Sequence, residues 1–112
     1  MRKLAFALCL FASPALATGL QVEVSGEGAN GTITIDLLED LAPKHVAQIT
    51  AIAESGAYNG VVFHRVIDGF MAQTGDVQFG QSSGNTSRAG MGGSDMPDIQ
   101  AEFSSEPFKR GI

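Results

Sequence analysis

Two short runs of strictly alternating apolar and polar residues, joined by a glycine-rich link, constrain the fold of this chain most. In LQVEVSG the apolar positions are Leu20, Val22 and Val24, and in TITIDLL they are Ile33, Ile35 and Leu37. A period of two places each apolar set on one face of an extended segment. Both runs are therefore predicted as half-buried strands. The link GEGANG, Gly26 to Gly31, has the spacing G-x-G-x-x-G. In a dinucleotide site the third glycine opens a helix whose N-terminus holds a pyrophosphate, whereas here it opens a β-branched strand. The link is predicted as a hairpin loop.

Ahead of this pattern stands MRKLAFALCLFASPALA, with Arg2 and Lys3 at its start, an apolar run, and Ala15-Leu16-Ala17 as a small-residue cleavage site. It reads as a secretory signal peptide, residues 1–17, cut after Ala17. The run from Leu4 to Ala12 is shorter than the about 20 residues that span a bilayer. Leu8, before Cys9, does not suit a lipid-attachment site. The mature chain is expected to be one small domain, residues 18–112, periplasmic or secreted and free of the membrane after cleavage. It has no cysteine, which excludes a disulfide framework and a thiol nucleophile. Removing Arg2 and Lys3 takes seven basic residues to five against twelve acidic ones, and the formal charge from −5 to −7. An acidic, unpatterned surface argues against nucleic acid as a partner.

Further along, Pro43 suits a first helical position, Val46, Ile49, Ile52 and Ala53 recur at helical spacing, and Gly56 supplies a stop. His45 is expected at a solvated position in the first turn. With His64 as the second of two histidines and no clustered carboxylates, no zinc site is expected. Val61 to Ile67 is predicted as a strand, Asp68-Gly69 as a turn and Phe70 to Gln73 as the returning strand. From Gly75 to Asp98 periodicity disappears and a long loop is expected, of the kind that is functional or disordered in compact domains. The last residues, FKRGI, begin an apolar segment with no turn to close it. The chain is therefore expected to be truncated at its C-terminus.

The stretch FHRVIDGFMAQTGD, Phe63 to Asp76, sets Arg65 between two apolar same-face neighbours, Phe63 and Ile67, with Val62, His64 and Val66 on the other face. The ordinary reading is an arginine whose stem covers apolar surface and whose head finds water or a carboxylate such as Asp76. His64 would ordinarily be a hydrogen-bonded structural residue. No G-x-S-x-G elbow and no paired-carboxylate spacing marks a hydrolase.

This same stretch resembles the signature of the cyclophilin-type peptidyl-prolyl cis-trans isomerases, and the later segments GMGG and AEF resemble the segments next in order in that family. The resemblance extends from about Gln21 to Ile112. It implies a mainly β fold with helices, an antiparallel eight-stranded β-barrel capped by two helices, of which this chain holds the N-terminal part. It also implies that Arg65 is the catalytic arginine, that Phe70 and Met71 line the proline pocket, and that Gln73 holds the substrate backbone. Proline-containing polypeptides are the implied substrates and cyclosporin-type compounds further implied ligands, with no metal and no cofactor. Thr74 departs from the glycine usual at its place. His64 belongs to the signature without a catalytic role. A non-catalytic peptide-binding or chaperone-like module, or an inactive fragment, is the competing expectation.

Overall fold

A computed structural model describes residues 18–112, so the expected signal peptide lies outside the described residues. The chain divides into two units, the first ending at Leu37 and the second running from Leu38 to Ile112. Among the described residues it is built mainly of strands with one helix.

In the first unit β1 (Gly19–Val24) pairs antiparallel with β2 (Gly31–Asp36), with Leu20 opposite Ile35 and Val22 opposite Ile33. Cross-strand pairs of this kind share a face, so the apolar alternation sets the register. Leu20, Val22 and Val24 are half-buried as expected, but β2 is exposed along its whole length, with Ile33 at 48%. A two-stranded ribbon shields little of its own surface from water. The glycine-rich link is the hairpin loop, pinned by Asn30, whose side chain accepts from the Gly26 N–H (3.2 Å) and donates to the Gly26 carbonyl (2.9 Å).

The second unit opens with α1 (Pro43–Glu54), which begins at the proline and stops ahead of Gly56, where φ is +80°. Its apolar stripe points inward at Val46, Ile49, Ile52 and Ala53. Ile52 is the buried hydrophobic residue of the described chain. Ala42, the residue before the helix, offers no side-chain cap. Glu102 supplies one instead. Its carboxylate accepts from the N–H groups of Lys44 (2.9 Å) and His45 (3.3 Å) and from His45 Nδ1 (2.9 Å). His45 is thus paired, not merely solvated. Burial pushes the Glu102 carboxyl up, but the hydrogen bond from the His45 side chain and those from the two backbone N–H groups outweigh it and leave it below its ordinary value.

The expected strand from Val61 to Ile67 is two pairings rather than one. Val61 bridges Gln81, and the Val62 N–H donates to the Gly80 carbonyl at 2.8 Å. Only β3 (Arg65–Ile67) joins β4 (Met71–Gln73). The switch of partner falls at Phe63, between Val62, bonded to Gly80, and His64, whose N–H donates to the Gln73 carbonyl at 3.1 Å; the Thr74 hydroxyl donates to the Val62 carbonyl at 2.8 Å. The β1–β2 and β3–β4 pairs are separate two-stranded sheets. Among the described residues neither a closed barrel nor a second helix is present.

Candidate active site on the second hairpin

The hairpin turn runs from Ile67 to Phe70, whose N–H donates to the Ile67 carbonyl at 3.0 Å. Gly69 takes φ +72°, the positive value that a type II turn needs at its third residue. The turn fixes the register: Arg65 stands opposite Gln73, Val66 opposite Ala72 and Ile67 opposite Met71. Directly paired residues project to the same side. Arg65, Met71 and Gln73 therefore share one face, and Phe70 follows the turn with 74% of its surface exposed.

Arg65 is exposed. Among the described residues its guanidinium enters no ion pair, and the expected partner Asp76 is committed elsewhere. Asp76 is only 4% exposed. One carboxylate oxygen accepts from the N–H groups of Gln78 (3.0 Å) and Phe79 (2.9 Å), the other from those of Gly90 (2.7 Å) and Gly92 (3.0 Å). The hydrogen bond from Phe79 leads, and with those from Gly92, Gly90 and Gln78 it overcomes burial and holds the carboxyl at about 2. The long loop is therefore organised around one anion. Gly92 cannot carry a side chain there, since a Cβ would lie 2.9 Å from an Asp76 carboxylate oxygen and 2.7 Å from the Phe79 ring. Arg88 lies over that ring, 4.2 Å from its centroid.

His64 differs from the hydrogen-bonded histidine expected. Its main-chain N–H donates to the Gln73 carbonyl at 3.1 Å, but its ring Nδ1 is buried with no hydrogen-bond partner among the described residues. A cleft lined by Ala57, Val77, Gln78, Gln81, Gly93, Ser94 and Asp95 includes none of the residues expected at the site. No group of three or more His, Cys, Asp or Glu side chains comes together among the described residues in a way that could hold a metal.

Asp76 and Glu102 are the two residues whose roles sequence reasoning missed. For Asp76 a local signal existed, since an aspartate often accepts from N–H groups two and three residues on. For Glu102 none did.

What this hairpin offers is a planar guanidinium donor, a primary amide and a half-buried thioether on one face. Residues 20–112 match the family model described as cyclophilin type peptidyl-prolyl cis-trans isomerase/CLD. The chain belongs to the cyclophilin-type peptidyl-prolyl cis-trans isomerase family. It is 60% identical over 84 residues to a "Probable peptidyl-prolyl cis-trans isomerase" of Brucella suis biovar 1, an alignment covering 73% of this chain and 43% of that relative. It is 44% identical over 77 residues to the "Peptidyl-prolyl cis-trans isomerase cyp15" of Rhizopus delemar, covering 69% of this chain and 11% of that one. The chain thus spans less than half the length of the curated relatives it matches. No solved structure matches it.

Proposed function

We propose that the intact protein is an exported isomerase of X-Pro peptide bonds in which Arg65 is the catalytic donor. Phe70 and Met71 grip the proline ring and Gln73 holds the peptide backbone. The observation that carries this reading is the register that sets Arg65 opposite Gln73 with Met71 on the same face. The barrier to amide rotation is about 18 to 20 kcal/mol, while cis and trans X-Pro differ by only about 0.5 to 1 kcal/mol. Catalysis therefore needs no covalent step. As the bond twists, the prolyl nitrogen loses resonance and gains a lone pair. A guanidinium hydrogen-bonds that lone pair far better than it does the planar amide, so its stabilisation is realised in the transition state.

The site belongs, in this proposal, to the outer face of an antiparallel eight-stranded barrel capped by two helices. The leader at residues 1–17 directs the protein to the periplasm or the medium, where proline-containing segments of folding exported proteins are the substrates. Cyclosporin-type ligands would compete for the surface of Phe70 and Met71. Exchange NMR on an X-Pro peptide tests the activity with the intact protein present. Catalysis predicts cis–trans exchange cross-peaks at substoichiometric protein. Peptide shifts on binding without faster exchange would make the protein a peptide-binding module instead.

A further inference from the structure

His64 immediately precedes Arg65, and the mechanism leaves it unused. Its ring is nonetheless constrained. Gly90 approaches so closely that a Cβ there would lie 2.8 Å from Cδ2 and 2.9 Å from Nε2 of the imidazole. Gly90 also holds φ at +97°, a conformation other residues rarely adopt. What fixes Gly90 is Asp76, the buried carboxylate that accepts its N–H at 2.7 Å. Because Nδ1 is buried with no partner among the described residues, the imidazole is held there by contact with this seat and not by a hydrogen bond of that nitrogen. A buried polar atom left unsatisfied costs stability.

The backbone around His64 closes the same loop from the other side. Its N–H donates to the carbonyl of Gln73, and the Thr74 hydroxyl next in sequence donates to the carbonyl of Val62. The Val62 N–H donates to Gly80, whose own N–H donates to the carbonyl of Asp76 at 2.9 Å. One aspartate therefore anchors both the main chain beside His64 and the surface against which its ring rests.

We propose that His64 is a positioning residue for Arg65, with Gly90 as the seat of its ring and Asp76 as the clamp that holds the seat. This rests on the reading of Arg65 as transition-state donor. A side chain wedged at the residue before it restricts rotation of the peptide from which the guanidinium projects, and orientation of a donor acts on turnover more than on substrate capture.

The test compares Gly90→Ala, His64→Ala, their double variant and Gly93→Ala in the intact protein. At Gly93 a Cβ meets nothing within 4 Å. Proline-isomer exchange gives kcat and KM, and the Nε–Hε NMR signal of Arg65 reports its position without reference to activity. Gly90→Ala and His64→Ala are each expected to lower kcat by about tenfold, to change KM by less than about twofold, and to shift the Arg65 signal. Gly93→Ala should do neither. The double variant should be no worse than the poorer single one, because removing the imidazole also removes the atoms that the new Cβ would displace.

Folded single variants with unchanged kcat and an unmoved Arg65 signal would overturn the proposal, as would fully additive losses in the double variant. If Gly90→Ala does not fold, His64→Ala decides alone on the same two readouts. Failure of the site reading is separately visible: Arg65→Ala would then keep full activity, whatever the Arg65 signal does in the other variants.

Discussion

Asp76 shows best how much of this region depends on a single side chain. Four backbone N–H groups converge on its two oxygens. Its carboxyl, held at about 2 in the folded chain, lies below the about 3.9 of an unperturbed aspartate. Its contribution to stability is therefore complete above the ordinary value and is lost as pH falls through about 2. Asp76→Asn replaces one acceptor oxygen by a donor that faces other donors. Amide hydrogen exchange at Gln78, Phe79, Gly90 and Gly92 is expected to quicken by about tenfold or more, the scale of losing charge-assisted bonds. Unchanged exchange at the two glycines would show that the carboxylate does not hold them. That Arg65, Met71 and Gln73 share a hairpin was legible in the sequence, because they fall inside one unbroken motif around the Asp68-Gly69 turn. The role of Asp76 was not, because Gly90 and Gly92 lie 14 and 16 residues away across a segment with no periodicity.

At the scale of elements, α1 was readable wherever the information is local: a proline to start it, an apolar stripe at helical spacing and a glycine to stop it. Its N-terminal cap was not readable, since Glu102 is 58 residues from Lys44. The strand from Val61 failed for a related reason. β-Propensity continues through Phe63, but hydrogen-bond partners are decided by tertiary context, and Val62 and His64 take different ones, Gly80 and Gln73. Glu102→Ala should leave the first turn of α1 without its long-range cap, lower the melting temperature by a few degrees and speed exchange at the amides of Lys44 and His45. Because the Glu102 carboxyl is lowered in the folded chain, this support is present above the ordinary glutamate value and fades as pH drops through the depressed one. A helix whose first-turn amides exchange alike in both proteins would contradict that assignment.

For the whole molecule, local patterns carried least. Closure of a barrel is a joint property of strand number, tilt and stagger, and the four strands of the described residues, in two separate pairs, contain no record of it. The expectation of a barrel came from the family resemblance, carried by the signature stretch and the later GMGG and AEF segments, and not from the strand pattern. Export is argued from residues 1–17, and N-terminal sequencing of the natural protein is expected to find Thr18 first; a mature chain that begins at Met1 would remove that part of the account.

In the proposed function one exposed guanidinium, set opposite Gln73 by a tight turn, lowers the barrier to rotation about a prolyl bond. The most direct measurement is kcat/KM for an X-Pro peptide by exchange NMR, in the intact protein and in its Arg65→Ala and Arg65→Lys variants. Loss of one transition-state donor predicts a fall of about 10²-fold or more for alanine, and a fall for lysine as well, which keeps the charge but not the planar donor. An alanine variant that isomerises the peptide as fast as the natural protein would contradict the account.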